Sequence, residues 1–550
     1  MIRGQINGRR KNLLFVNKKK QKNFVTWSAP TVAGAFQSEQ KFFASFFQKR
    51  CFLPTLAIAA AVLSGCTVGP NFHAPAAPTA TGYTSPSETT TQSLALGQQV
   101  SAEWWTLFRS PTIDSLVKQA IAGSPSIEGA TARLSEAQYD VAAASGVLYP
   151  QVNFAASVTR EKLNAASFGL APSRFPLPPN ANVYQLGPSV SYALDVFGGN
   201  RREIEQKSAL ADVERYQLDA AYQTLTGNTV SQAIQVAAAG AQLKAIHDIL
   251  DLDQQTLKLV RTEREAGSVP DTDVATAATQ YATDETMLPG PEQQLDVARH
   301  ALAVLLGRAP GEWSPPSLDL TSLALPAEVP VSLPAALVRQ RPDILAAEAQ
   351  LHAASAQIGV ATAQLYPSFT LSGSVGAAAI NPGQLFDPES LLWSIAAGVT
   401  APVFDGGMRK SEQRAALSAF KASAAGYQET VLQAFGQVAD TMQALTHDQQ
   451  LLAAQQQALN EASEALKLQR ISYSGGGTGI LPLIDAQRQY LQARLGYVQA
   501  QAQCYQDTAQ LLVAMGGGWW GANLTVDRQN QDSSAWAINS RPTRLRSTID

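Results

Sequence analysis

Side chains that could carry out metal or nucleophilic chemistry are few in this chain and widely separated. No two histidines are four residues apart, as the two ligands of a zinc-binding helix would be. The sequence contains neither a Gly-x-Ser-x-Gly nucleophile turn nor a Walker phosphate loop. We therefore expect no catalytic residues, no metal and no cofactor. The five histidines are His73, His247, His300, His352 and His447.

One of the three cysteines stands in a context with chemical meaning. Lys49 and Arg50 precede a short apolar segment, 51–62, and the sequence LSGC follows at 63–66. A basic start, a short apolar run and small residues before a cysteine are typical of a bacterial lipoprotein signal. We predict cleavage before Cys66, with a diacylglycerol on its thiol and an acyl chain on its new amine. The alternative is an ordinary signal peptide with an incidental cysteine.

The charge distribution excludes nucleic acid as a partner. Residues 1–50 contain 11 Lys and Arg against one acidic residue, which leaves 30 basic and 43 acidic residues for the rest. A chain cleaved near residue 65 is therefore acidic, and it would repel a polyanion. No apolar run of 18 residues occurs after the signal, so any membrane crossing must be made by strands.

Two segments almost free of helix breakers, 201–265 and 408–472, predict very long helices. Each carries a stripe with a seven-residue period, which is typical of a coiled coil. The glycines Gly267 and Gly476 follow the stripes and are 209 residues apart, so two copies of one helical hairpin are predicted. The stripes are Val236, Leu243, Leu250, Leu257 and Arg264, and then Leu445, Leu452, Leu459, Leu466 and Tyr473.

Four segments alternate between apolar and small polar residues, as strands of an outer-membrane barrel do. The alternative is a soluble four-stranded sheet that packs on a helix. Four strands cannot close a barrel, and open edges are not tolerated in lipid, so the barrel interpretation requires an oligomer. The strands are predicted within 151–159, 189–196, 368–375 and 393–400, and the first pair is joined by an outward-facing loop, 160–188.

The predicted organisation is mostly α-helical with four strands, in two internal repeats. Proline-rich segments separate the parts. The parts are an N-terminal extension with signal (1–65), an acylated anchor and extended tether (66–100), repeat one (101–307), a connector (308–342), repeat two (343–516) and a C-terminal tail (517–550).

Two ordered motifs resemble a known family. The sequence RPDI at 341–344 is followed by Tyr366-Pro367, and DAQR at 485–488 is followed by AMGGGW at 514–519. These motifs resemble those of TolC-like outer membrane factors. The LSGC signal followed by VGPNF at 68–72 is similar to the lipoprotein branch, which is OprM-like or NodT-type.

This resemblance implies an outer-membrane homotrimer whose twelve strands form a barrel that is continued by a long periplasmic α-helical barrel. Such proteins are passive exit ducts of tripartite efflux pumps. Their partners are a periplasmic adaptor (membrane fusion protein) and an inner-membrane transporter, often of the resistance-nodulation-division class. The alternatives are a duct for type I protein secretion and a non-conducting periplasmic scaffold lipoprotein.

The resemblance also implies a periplasmic gate. Asp485 matches a position that forms an acidic ring at the entrance, and Leu481 matches a hydrophobic constriction. Arg488 and Tyr473 match positions where contacts between hairpins hold the gate shut. Without the resemblance, Asp485 could equally be a solvated carboxylate on a helix surface.

Overall fold

The structure, a computed structural model, describes residues 67–80, 82–84, 94–98, 100–162, 180–326 and 328–517. Most of these residues are helical. The predicted signal, Cys66 and the tail beyond residue 517 lie outside the described residues.

The first series of elements ends at the connector. A short strand and a short helix lead to a helix, two strands, a very long helix and a return helix in two pieces. The break in the return helix falls at residues 286–288, and Pro289 begins the second piece. The bounds are β1 (Leu94–Leu96), α1 (Pro111–Gly123), α2 (Pro125–Gly146), β2 (Gln151–Glu161), β3 (Ala181–Leu194), α3 (Gly199–Glu265), α4 (Asp271–Glu285) and α5 (Pro289–Leu305).

The second series repeats this order after the connector. A helix, two strands, a very long helix and a return helix follow one another, and here the return helix is continuous. The bounds are β4 (Val329–Val331), which lies in the connector, then α6 (Pro342–Ala363), β5 (Ser368–Ala379), β6 (Leu391–Thr400), α7 (Met408–Ser474) and α8 (Ile480–Ala514).

The two long helices start in the same way. The Asp195 carboxylate accepts hydrogen bonds from the amides of Asn200 and Arg201, both at 3.0 Å, and Asp405 accepts one from Gly407 at 2.8 Å. These carboxylates pair amides that have no partner inside the helix and face the positive end of its dipole. Each helix then runs for 67 residues, or roughly 100 Å at 1.5 Å per residue.

Glycine ends both long helices. Gly267 and Gly476 have φ values of 74° and 71°, in the left-handed region that other residues rarely adopt. The following amides, of Ser268 and Gly477, donate back to carbonyls five residues earlier at 2.8 Å. Both glycines therefore lie in the turns between the long helices and their return helices.

The helices lie side by side as four rods, which we call staves. The α3 stave is flanked on one side by α2 followed by α4 and α5, and on the other by α6 followed by α8. The α7 stave packs against α6 and α8. The shorter helices therefore align end to end to match a long one. The order of staves is α2/α4/α5, α3, α6/α8, α7.

The strands form one antiparallel sheet in the order β2-β3-β5-β6. Its apolar side chains are exposed, with Phe154 70%, Trp393 72% and Ile395 75% accessible. No helix in the described ranges is long and apolar enough to cross a bilayer.

The strand β3 is longer than the sequence predicts. We expected an outward-facing loop to reach residue 188, because residues 160–188 are rich in Pro, Ser and Asn. Instead both residues lie in the ladder, where Pro188 pairs with Phe154. A β-carbon on Gly187 would lie 2.3 Å from the Val375 carbonyl oxygen, so this glycine allows two strands to approach closely. The prediction of a 160–188 loop was therefore wrong at both ends, because β2 also extends to Glu161.

The segment predicted as an extended tether is partly ordered on the body. Its strand β1 pairs in parallel with β4 of the connector, with Leu94 opposite Val329. At the other end of the segment, the Val68 amide donates to the Phe197 carbonyl at 3.0 Å. The tether prediction was wrong for these residues, because backbone pairing to distant strands leaves little signal in the local sequence.

Both repeats share one apolar core around the connector. Trp104, Phe108 and Tyr505 pack together there, and the Tyr505 hydroxyl donates to the Leu323 carbonyl at 2.6 Å. Next to this core the buried Arg341 guanidinium bridges α6, α7 and α8. It donates to Asp343, to Gln437 at 2.9 Å and to the last turn of α8 at the Ala514 carbonyl, at 3.0 Å. Arg341 and Asp343 are therefore structural residues.

Arg341→Met should lower the free energy of unfolding by about 3 kcal/mol, because three sets of partners lose a charged donor in a buried site. Urea unfolding followed by far-ultraviolet circular dichroism measures this loss. The matched control is Arg339→Met, since Arg339 is exposed two residues away. Equal stability of the two variants would show that the buried guanidinium does not join the helices.

Candidate functional site

The turns of the two hairpins lie next to each other and share one apolar cluster. Leu257 and Val260 of α3 pack with Ala277 of α4 and with residues of the second hairpin. We call these two hairpin ends, with their shared cluster, the tip. The residues from the second hairpin are Tyr473, Ile480, Leu483 and Ile484.

Polar side chains also join the two hairpins at the tip. The Tyr473 hydroxyl donates to the Glu263 carboxylate at 2.6 Å. Farther from the turn, Gln487 donates to the Thr256 hydroxyl and Arg470 to an amide oxygen of α3, both at 3.0 Å. Tyr473 was predicted to hold the gate. Its partner Glu263 is 210 residues away, and no local pattern marks it.

The Tyr473 hydroxyl remains protonated at every physiological pH. Burial raises the pKa of Tyr473 above its usual range, and the nearby Glu263 carboxylate raises it further. Tyr473 is therefore always a hydrogen-bond donor here, and the link is lost only by separating the helices or neutralising Glu263.

The other predicted gate residues lie on the side of α8 that faces away from the shared apolar cluster. Leu481, Asp485 and Arg488 are spaced four and three residues apart, so they share one helix face. All three are exposed, and Leu481 is 66% accessible. Asp485 accepts a hydrogen bond from Gln489 of its own helix at 2.9 Å. The structure therefore brings these three together on one exposed face, apart from the Tyr473 link.

The first hairpin tip differs in charge from the second. Thr276, 209 residues before Asp485, donates to the Thr272 carbonyl of its own helix. At the turn, Arg264 pairs with Asp271, and this cation lowers the Asp271 carboxyl pKa. This exposed ion pair contributes little to stability. The two tips therefore present different groups.

A further polar cluster holds the segment 68–72 against the body of the protein, at the point where β3 leads into α3. The buried Arg202 guanidinium donates to the Val68 carbonyl at 3.2 Å and to the Asn71 side chain at 2.7 Å. The ring of Phe72 stacks on His352 with centroids 4.4 Å apart. Sequence reasoning missed Arg202, because its partners lie more than 130 residues away.

A sheet with an exposed apolar side, continued by rods of roughly 100 Å, is the architecture of an outer-membrane channel subunit with a periplasmic extension. The model of the family described as outer membrane efflux protein matches residues 116–308 and 333–517. The chain belongs to this family, which consists of outer membrane channel proteins. Each matched segment covers one series of elements.

Three proteins illustrate the similarity. The pyoverdine export outer membrane protein OpmQ of Pseudomonas aeruginosa is 30% identical over 80% of this chain and 93% of its own length. The probable outer membrane lipoprotein SilC of Salmonella typhimurium is 25% identical over 83% of this chain and 97% of its own length. The structure of the outer-membrane channel OprN matches 82% of this chain and 100% of its own, at 29% identity and a TM-score of 0.73. The predicted family and efflux function are confirmed.

Tyr473→Phe should loosen the tip, because Glu263 loses its hydrogen-bond donor while the other contacts of the tip are unchanged. The loss of one such hydrogen bond corresponds to about fivefold faster amide exchange in the last turns of α3 and α7. Hydrogen exchange with mass spectrometry measures it. The control is Tyr490→Phe on α8, and a Tyr473→Phe protein that exchanges like this control would contradict the role of the link.

Proposed function

We propose that the chain is one subunit of a homotrimeric exit duct in a tripartite efflux pump. The observation that carries this proposal is a four-stranded sheet with two open edges, β2 and β6, and an exposed apolar side. Open edges in hydrocarbon leave backbone groups unpaired, so β6 must pair with β2 of another copy. Three copies give a twelve-stranded barrel.

The order of the staves supports the same assembly. The outer staves of one chain are α2/α4/α5 on one side and α7 on the other. Apolar side chains remain exposed on both, including Val297 and Val304 on α5 and Leu432 and Leu468 on α7. Packing the α7 stave of one copy against the α2/α4/α5 stave of the next buries these residues. The result is a periplasmic tube of twelve staves under the barrel.

In this assembly the exposed face of Leu481, Asp485 and Arg488 lines the entrance of the tube. Three Asp485 carboxylates at the axis would favour cations and repel one another when the entrance is narrow. Three Leu481 side chains would form an apolar constriction. The Tyr473 link holds the second hairpin against the first, so its loss favours opening.

Leu481→Ala combined with Asp485→Ala should raise the single-channel conductance several-fold in planar bilayers, because both constricting groups become small and neutral. The control is Glu429→Ala, which removes a carboxylate from an exposed position of α7 far from the tip. If the native channel and the double variant had the same conductance, Leu481 and Asp485 would not form the gate.

The same measurement separates the alternative functions. A non-conducting scaffold lipoprotein gives no current in any variant and no trimer that resists mild detergent. A duct for type I protein secretion conducts as well, but its loss in cells abolishes export of a protein and leaves small-molecule resistance unchanged. The lipoprotein motifs and the similarity to OpmQ and SilC favour small-molecule efflux with an adaptor and an inner-membrane transporter.

We also propose that Cys66 carries the lipid anchor. Thr67, the next residue, packs against Gly198, where a β-carbon would lie 2.1 Å from the threonine methyl group. Gly198 lies between β3 and α3, next to Phe197, whose ring stacks on that of Tyr366. Aromatic rings at the ends of strands are typical of the membrane interface. An acyl group on the residue before Thr67 can therefore enter the inner leaflet of the outer membrane.

Cys66→Ser should abolish incorporation of labelled palmitate and increase the electrophoretic mass, because the uncleaved signal remains. Cys504→Ser is the matched control: Cys504 is a buried thiol of α8, and its removal should leave the label unchanged. Label on Cys66→Ser would contradict the lipoprotein assignment.

A further inference from the structure

In each helical hairpin two aspartates face each other in the seam, which is the interface between the long helix and its return helix; three of these four residues are buried and Asp448 is half-buried. In the first hairpin Asp253 of α3 faces Asp284 of α4, and both are nearly inaccessible, at 3% and 4%. In the second hairpin Asp448 of α7 faces Asp507 of α8, which is 6% accessible. Carboxyl groups are seldom buried against one another, because two negative charges repel and each loses its hydration.

The two pairs have the same spacing from the leucines of the seven-residue stripes. Asp253 lies three residues after Leu250 and four before Leu257, both members of the seven-residue stripe. Asp448 has the same spacing to Leu445 and Leu452. An aspartate thus occupies a core position of each coiled coil, where an apolar residue would be more stable.

The return helices hold the partner carboxyl groups in the same way. Gln280 donates to Asp284 at 2.7 Å, and Gln503 donates to Asp507 at 2.9 Å, each across one helical turn. Neither oxygen of Asp253 accepts a hydrogen bond from any donor in the described part of the chain. One oxygen of Asp448 likewise accepts no hydrogen bond there. A proton between the two carboxyl groups supplies the missing donor.

The two pairs are not copies of one ancestral feature. The position 209 residues after Asp253 is Ala462, and the position 209 before Asp448 is Ala239. The pairs also lie at different heights, roughly 21 Å and roughly 42 Å from their glycine turns at 1.5 Å per residue. The same arrangement therefore occurs twice, at unrelated positions, which favours a function over an inherited accident.

Among the residues that the structure describes, those around the first pair include no cation that could replace the proton. The α4 helix presents Asp284. The α8 helix, which also packs on α3 here, presents the amide of Gln487 and the apolar Leu491. Burial raises the pKa of Asp253 to about 8, and the adjacent Asp284 carboxyl adds to this increase.

The second pair is more accessible and has a thiol beside it. The α8 helix presents Asp507 and Cys504 to Asp448. Burial and then the Asp507 carboxyl raise the pKa of Asp448 to about 7. Burial raises the thiol pKa of Cys504, and both aspartates raise it further, so the thiol stays neutral.

We infer that each hairpin binds one proton between two carboxyl groups in its seam, and that release of this proton loosens the hairpin and favours opening of the tip. The sign follows from linkage. The folded hairpin holds the proton more tightly than the unfolded chain does, so the stabilisation is complete below the ordinary aspartate range near pH 3.8 and is lost as the pH rises through about 7 and about 8. The step to an open tip rests on the proposed channel function, whereas the loosening does not.

Hydrogen exchange of the full-length protein in detergent tests the loosening. After correction for the intrinsic effect of pH, amide protection around Asp253 and Asp284 should fall roughly tenfold between about pH 5 and about pH 8.5. Asp253→Asn, which carries a permanent donor and no charge, should remove this dependence. Asp251→Asn is the matched control, because Asp251 is exposed on the same helix and its loss should leave the native response.

The second hairpin has an equivalent pair of variants. Asp448→Asn should flatten the pH response around α7 and α8, and Asp440→Asn, at an exposed position of α7, should not. Equal protection at both pH values in the native protein overturns the inference. A native response that persists in Asp253→Asn and Asp448→Asn overturns it as well. If asparagine prevents assembly, Asp253→Leu, which fills the apolar stripe, gives the same test.

Conductance tests the effect on the tip. Opening of the native channel should increase several-fold toward about pH 8, and the Asp253→Asn Asp448→Asn double variant should stay at the low-pH level. Because Leu481, Asp485 and Arg488 are native in both proteins, any direct effect of pH on the gate cancels in the comparison. A double variant with the native response overturns the link to opening. A protein that never conducts refutes the proposed channel function, while the exchange result still decides whether the proton is bound.

Discussion

The constraint on which this structure depends is that a sheet edge in hydrocarbon leaves backbone N–H and C=O groups unpaired. A four-stranded sheet has two such edges, and its apolar side is already exposed, so in the proposed trimer each sheet is completed by its neighbours. Closure of the proposed barrel then determines how the helices are arranged. Every strand must be continued by a stave, and the short helices must add up to the length of a long one. This accounts for the end-to-end alignment of α2 with α4 and α5, and of α6 with α8.

Stability is distributed unevenly along the staves. The band around the connector has the largest apolar core, with Trp104, Phe108 and Tyr505, and the buried Arg341 lies beside it. The tip has a much smaller cluster that is supplemented by single hydrogen bonds such as the one from Tyr473 to Glu263. Local opening is least costly where few apolar contacts are buried. Local opening should therefore be easier at the tip than in the band around the connector.

Between these two regions the seams of the hairpins contain polar residues at core positions. Asp253 and Asp448 give up apolar burial that a leucine would supply, and each is tolerated only while the proton requirement of its pair is met. A seam of this kind couples helix packing to pH. It lies within one chain, so it can act before and after assembly. The Tyr473 link at the tip is different, because its hydroxyl remains a donor throughout the physiological range.

The sequence alone predicted the elements whose signals are local and periodic: both long helices, the turns at Gly267 and Gly476, the four strands and the resemblance to an efflux family. The spacing of Leu481, Asp485 and Arg488 along α8 also decides that they share one helix face. Tertiary structure alone revealed the partners of Tyr473, Arg202 and Asp253. Each pairs with a residue brought near by packing, at separations of 31 to more than 200 residues. The extension of β3 through Gly187 and Pro188 and the pairing of β1 with β4 also appeared only there. Backbone ladders and buried polar pairs are properties of two segments together, and neither segment by itself carries the pattern.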